Sequence, residues 1–319
     1  MSSALSRRQL LIGAAGALSA EQPDVTQADQ FFVRDHFEEP DLSLATWKLR
    51  IEGNVAHPLE LTISDLLESP ATQQESLLEC AGNGESGAAV SMGIWQGVPM
   101  FTLLKMAGAD ATGDVLLEGA EGYLRIVPGK KCRAPESLIA IKLNGRFLPR
   151  RNGFPARVIL PGWYGMDSVK WLQRITVLKP RERPRSHDQF YTRLRKDQPP
   201  YRITSILVKS LISYPTNEAK LVAAVHPVSG YAWTGDGVIR RVQVSVDGGK
   251  IWSAAKLETP VRPFTWVRWF YSWQAQPGEH ILLSRAEDSA GNRQPLARDS
   301  ERLDSYELNW CAPVRCSVG

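Results

Sequence analysis

Leu77-Leu78-Glu79-Cys80-Ala81-Gly82-Asn83-Gly84 reads as the end of a buried strand running into a tight turn. The leucine pair supplies the buried end. The two glycines permit backbone conformations with positive φ, which other residues adopt only at a cost. One cysteine therefore stands at a strand-to-loop corner with backbone N–H groups around it. As a thiolate it is a soft metal ligand or a nucleophile. A plain buried cysteine would show the same local pattern, so the segments on either side decide between the two.

Upstream, residues 47–53 alternate apolar and charged side chains, the signature of a half-exposed strand. The stretch 61–67 predicts a strand and then a helix capped by Thr62 or Ser64. Downstream, 98–106 reads as a short helix ending at Gly108, and 115–117 as a strand leading into the polar turn 118–122. Residues 138–142 form another strand, followed by the hairpin signal Asn144-Gly145. The apolar run 158–160 is a buried strand ended by Pro161 and Gly162. Short strands and short helices without regular βαβ alternation predict an α+β layer fold over residues 21–180.

Residues 181–200 read as an exposed linker, in a basic, proline-containing stretch that begins at Lys179. From Tyr201 the character changes. The β-rich runs 203–208, 220–225, 238–246, 252–257, 266–270 and 279–286 are separated by turn signals such as Asp247-Gly248-Gly249-Lys250. That spacing predicts an all-β, immunoglobulin-like sandwich over 201–319, without the Cys-Trp-Cys pattern of antibody domains.

A chain of 319 residues is long enough for two domains, and its 43% hydrophobic and 23% charged content is that of a soluble globular protein. A net charge of +4 favours anionic small molecules or an acidic partner and does not argue for nucleic acid. Zinc-finger spacing, a Gly-rich phosphate loop and an aromatic-basic RNA motif are all missing from the sequence. Four cysteines are too few for a disulfide scaffold, and no Cys-x-x-Cys-His occurs, so no c-type haem is expected on this chain. The sequence leaves open a bond between Cys311 and Cys316.

Ser6-Arg7-Arg8-Gln9-Leu10-Leu11 is a twin-arginine pattern followed by an apolar run too short to span a bilayer. Small residues at Ala17-Leu18-Ser19-Ala20 suit cleavage before Glu21. Residues 1–20 are accordingly read as a signal for periplasmic export of a folded protein. No other stretch predicts a membrane span.

Four further segments flank the cysteine in a fixed order. Phe31-Phe32-Val33-Arg34-Asp35-His36-Phe37 precedes it, and Trp95-Gln96-Gly97-Val98-Pro99 follows it. Arg157-Val158-Ile159-Leu160-Pro161-Gly162-Trp163-Tyr164-Gly165-Met166 and Ser168-Val169-Lys170-Trp171-Leu172 come next. The set resembles the sulfite oxidase family of molybdenum enzymes, from about Phe31 to the C-terminus. The resemblance implies a molybdenum–molybdopterin cofactor with Cys80 as the protein's metal ligand. It places Phe32, Val33, Arg34, Asp35 and His36 along the cofactor, with Arg34 facing a substrate anion. It has Arg157, Ser168, Val169 and Lys170 hold the cofactor, and it matches Glu121 to a cofactor-binding aspartate. Asn152 stands where the animal enzymes have histidine. Tyr191 and Arg315 match an active-site tyrosine and arginine. The C-terminal sandwich is expected to make a homodimer.

One soft sulfur ligand suffices if a pterin dithiolene brings others, whereas zinc would need about four protein ligands. The protein's share is then binding, orientation and electrostatics. The implied reaction is oxidation of sulfite, a small anion, to sulfate, with electrons passed to a separate cytochrome c or another acceptor. Two departures qualify it. Gly84 and Glu85 replace arginines that commonly follow the cysteine segment, and the stretch 86–92 lacks room for a tryptophan of the animal enzymes. Glu85 raises a second reading, reduction of a sulfoxide or another small oxygenated substrate. A non-catalytic binding module is the alternative outside enzymes.

Overall fold

A computed structural model describes residues 25–85 and 87–319. The export signal read over residues 1–20 lies outside the described residues. Among the described residues, no helix is long and apolar enough to cross a membrane.

The N-terminal half is built from two sheets. In the first, strand Leu49–Gly53 lies between Leu59–Leu61 and Leu172–Val177, and the sheet continues through Val115–Gly119 to Leu124–Val127. Leu49–Gly53 and Leu172–Val177 run parallel, joining residues far apart in sequence. In the second, Thr72–Glu79 pairs with Val90–Pro99, which pairs with Leu138–Leu143; Arg146–Phe147 and Arg157–Ile159 flank the last. Cys80 follows directly from the first strand of this sheet.

Among the described residues, helices are few and short: Ile63–Glu68, Met100–Met106 and Gly129–Cys132. The α+β expectation is thus met by a half that is mostly sheet. The first helix carries a reciprocal cap, in which the Asp65 N–H donates to Thr62 Oγ1 and the Thr62 N–H donates to the Asp65 carboxylate. Thr62, not Ser64, is the cap. The Asn144-Gly145 turn forms as expected, with both residues at positive φ.

The C-terminal half has two sheets. One orders Lys209–Tyr214, Val225–Trp233, Val267–Gln274 and Lys256–Leu257; the other orders Ala219–Leu221, Val314–Val318, Gly278–Asp288, Ile239–Ser245 and Ser253–Ala254. Both contribute to one apolar cluster that includes Val228, Trp269, Val242 and Leu282.

Two expectations are corrected. Residues 203–208 form no strand: Ile203 and Ile206 are buried in the N-terminal core, and the Ile206 N–H donates to Gly162 O while its carbonyl accepts from Gly235 N–H. That apolar run anchors the junction instead of pairing in a sheet. Residues 181–200 are likewise no bare linker. They hold a 3-10 turn, Asp188–Phe190, and strand Thr192–Arg193, which pairs with Tyr201–Arg202.

Candidate active site

Phe31 is buried edge-on against Trp95, with ring centroids 5.3 Å apart, and fixes the start of the Phe31–His36 stretch. The Phe32 N–H donates to Ser91 Oγ. Anchored in this way, the stretch lines one wall of a cleft with Val33, Arg34 and His36. The cleft encloses about 680 Å³ of space, part of it open solvent.

Cys80 enters at the end of its strand. Its N–H donates to Ala89 O, and its carbonyl accepts from Asn83 N–H. The Asn83 side chain braces the turn, donating to Glu79 Oε1 at 2.8 Å and accepting from Ala89 N–H at 3.0 Å. Gly87 has φ +67°, and a Cβ there would lie 2.1 Å from Leu211 Cδ1, so the loop needs glycine to lie against the C-terminal half. Burial pushes the Cys80 thiol up, while the Gly82 N–H and Arg34 act in the opposite sense.

The opposite wall comes from three turns. Glu121 and Tyr123 lie in the hairpin between Val115–Gly119 and Leu124–Val127. Arg151 and Asn152 belong to the 3-10 turn Arg150–Asn152. Gly165 through Trp171 pass beneath, and the Ser168 hydroxyl accepts from Leu160 N–H. Arg157 is buried; its two terminal nitrogens donate to Asn152 O and Ser168 O, each at 2.9 Å. Among the described residues it has no ion-pair partner, and burial pushes it down to about 9. Lys170 is held by Asp35 and by Arg151 O.

Tyr191 follows the 3-10 turn Asp188–Phe190 and bonds His36 Nε2 through its hydroxyl. Burial and then Arg125 push His36 down to about 4, so the ring is neutral and free to accept. Burial also pushes the Tyr191 phenol up, keeping its proton. Arg125, fully buried and paired with Asp167, lies 5.4 Å from the Tyr191 ring centre.

Three buried polar atoms on cleft residues have no hydrogen-bond partner: Arg157 Nε, Glu121 Oε2 and the Tyr123 hydroxyl. Buried polar groups are nearly always satisfied. These atoms therefore suit a polar ligand bearing both donors and negative charge. Among the described residues, no group of three or more His, Cys, Asp or Glu is placed to hold a metal. A metal at Cys80 must bring its remaining donors with it. Arg34 and Arg151 have no ion-pair partner among the described residues, so the cleft carries unbalanced positive charge.

Of the residues read from sequence, Phe32, Val33, Arg34, His36, Cys80, Glu121, Asn152, Arg157, Ser168, Val169, Lys170 and Tyr191 all line the cleft. Asp35 touches it through Lys170. Arg315 does not: it is exposed in strand Val314–Val318, opposite Ile281, and is corrected as a cleft residue. Glu85 is exposed and stands outside the cleft wall. Tyr123 and Arg151 line the cleft without having been read from sequence. Tyr123 carried no signal beyond its place after a polar turn; Arg151 was visible only as part of the basic pair before Asn152. Cys311 and Cys316 are both free thiols.

The family model of the oxidoreductase molybdopterin-binding domain matches residues 36–185, and that of the Mo-co oxidoreductase dimerisation domain matches residues 200–303. Mitochondrial sulfite oxidase of Mus musculus is 30% identical, over 85% of this chain and 57% of its own length. Sulfite oxidase of Gallus gallus is 30% identical, over 85% of this chain and 68% of its own. The chain thus spans little more than half of the mouse relative. Among solved structures, the sulfane dehydrogenase SoxCD from Paracoccus pantotrophus superimposes with a TM-score of 0.85 at 30% identity, covering 93% of this chain and 82% of that one.

Proposed function

Because the chain belongs to the sulfite oxidase family of molybdopterin-dependent oxidoreductases, we propose that it oxidises sulfite to sulfate and passes the electrons to a separate cytochrome c. The observation that carries this reading is a single soft thiol, Cys80, facing a cleft with unbalanced cationic charge. When bound, molybdenum supplies the two-electron redox change and the oxygen transfer. The chain's own residues bind, orient and move protons.

Cys80 would hold the metal. Arg157, its guanidinium already fixed by two carbonyls, keeps Nε free to donate to the cofactor's anionic part. Lys170, Ser168 and Asn152 would complete that hold. Burial pushes Glu121 up to about 7, so near neutrality its carboxyl retains much of its proton and can donate from Oε2. Arg34 offers an uncommitted guanidinium to a substrate oxyanion. Sulfite and water become sulfate, two electrons and two protons. The neutral His36 ring orients the protonated Tyr191 hydroxyl at the cleft wall; held down at about 4, the ring can relay a released proton but does not retain it.

A second reading is oxidation of sulfane sulfur, favoured by the likeness to SoxCD over nearly the whole chain. The reductive reading loses its motive, since Glu85 stands outside the cleft wall. We further read the C-terminal half as an immunoglobulin-like sandwich that makes a homodimer, on the strength of the matched dimerisation domain. Periplasmic export rests on the sequence alone.

Metal analysis tests the assignment. Protein from cofactor-replete cells should hold about one molybdenum and one pterin per chain. Cys80→Ser, which swaps a soft ligand for a hard one, should fold but lose sulfite:ferricyanide turnover. Near-normal turnover in that variant refutes the ligand assignment. Faster oxidation of a sulfane substrate than of sulfite would decide for the second reading.

A further inference from the structure

We propose that the C-terminal half forms part of the cysteine-loop scaffold, with Lys209 as the positioning residue that fixes Cys80. The inference rests on the reading of Cys80 as metal ligand and extends it to a residue outside the cleft.

Glu79 and Lys209 are each 2% exposed, one immediately before Cys80, the other at the start of the first C-terminal strand. The Lys209 ammonium lies 3.6 Å from Glu79 Oε1 and donates to Gly84 O at 3.2 Å. One cation thereby ties the first residue of the Glu79–Gly84 turn to its last. Glu79 also accepts from Asn83 Nδ2 and from Trp233 Nε1, the latter at 2.8 Å and again from the C-terminal half. A third hold comes from Glu307, whose N–H donates to Ala81 O at 2.8 Å. The residues on either side of Cys80 are thus held from positions 209, 233 and 307.

Lys209 is absent from the cleft wall, so it is not assigned a contact with substrate or cofactor. Its effect passes through the turn. Without it, Glu79 is a buried carboxylate lacking its cation, and among the described residues Gly84 O keeps the Gly87 N–H alone. Buried charges stripped of a partner are strongly unfavourable. The turn relieves this one by opening toward water, which displaces Cys80.

The test uses the full chain in cofactor-free form. Cys132, Cys311 and Cys316 are buried, so native-state thiol labelling reads Cys80. Lys209→Met should raise the labelling rate on the order of tenfold or more, as a local opening becomes accessible. Lys209→Arg, which keeps the charge, should lie closer to the unvaried chain than to Lys209→Met. If Lys209→Met does not fold, the pair Glu79→Gln with Lys209→Met removes both buried charges and should still label faster, having lost the Gly84 tie. An unchanged rate overturns the proposal. So does an equal rise in Trp273→Leu, a core variant of the same half, matched for loss of stability. On cofactor-replete expression, Lys209→Met should hold several-fold less molybdenum per chain. If the unvaried chain holds none, the functional reading falls, and the labelling rates still decide the role of Lys209.

Discussion

Arg34 and Glu121 show how one cleft sets its residues different tasks. Arg34 is uncommitted, so its charge is available to a substrate anion. A neutral amide cannot replace a charged fork. Arg34→Gln should therefore cost roughly 1.5–3 kcal/mol of transition-state binding to sulfite, about tenfold to a hundredfold in kcat/KM. The loss should be smaller for a neutral substrate; unchanged sulfite kinetics would remove Arg34 from the anion pocket. Glu121 makes a prediction about stability. Burial raises its folded-state value from 4.5 to about 7, so the folded chain keeps a proton there that the unfolded chain has released. Its carboxyl costs nothing below about pH 4.5, and the cost grows as pH rises toward 7. In cofactor-free protein, Glu121→Gln should gain on the unvaried chain between pH 4.5 and 8, by up to about 3 kcal/mol. Thermal unfolding at several pH values checks this, and parallel curves for the two proteins would refute it.

Strand Val90–Pro99 is the element on which the cysteine sheet turns. It pairs with Thr72–Glu79 on one side and Leu138–Leu143 on the other, and its register shifts between Gln96 and Gly97. A Cβ on Gly97 would lie 1.9 Å from Ile139 O and 2.8 Å from Ala140 Cα, both backbone atoms that cannot swing aside. Gly97→Ala should cost about 3 kcal/mol, read as a shift in the urea midpoint; a shift well under 1 kcal/mol would show that the sheet yields there. Elements of this kind were legible to the extent that they obey a local period. The alternation at Leu49–Gly53 and the capping pattern at Thr62 declare themselves. Strand Val314–Val318 was missed because its partners lie far away in sequence, and for the same reason Arg315 was misplaced. The run 203–208 looked like a strand because burial alone, without pairing, gives the same apolar pattern. In the site, motif-borne residues were legible. Tyr123, Arg151 and Lys209 were not, because each acts through contacts that only the folded chain creates.

Across the whole molecule, the cysteine turn and the neighbouring strand Val90–Pro99 are held by contacts drawn from nearly the full described length. Met92 takes hydrogen bonds with Thr26, Trp95 receives Phe31, and Ala81 is held by Glu307 close to the other end. The ion pair between half-buried Arg193 and buried Glu307, at 2.6 Å, locks the segment that reaches Ala81. A partly synthesised chain therefore lacks the Lys209, Trp233 and Glu307 contacts to the turn, so cofactor capture is expected to follow folding of both halves. If the chain is exported as the sequence proposes, a protein loaded in this way would have to cross folded, which is what a twin-arginine signal at Arg7-Arg8 would provide. Arg7→Lys together with Arg8→Lys preserves charge but removes the paired guanidinium groups. The double variant should accumulate in the cytoplasm with molybdenum bound, and its periplasmic amount should fall about tenfold or more. Fractionation with metal analysis separates the outcomes. Normal periplasmic levels would refute the signal, and a retained but metal-free protein would refute capture before export.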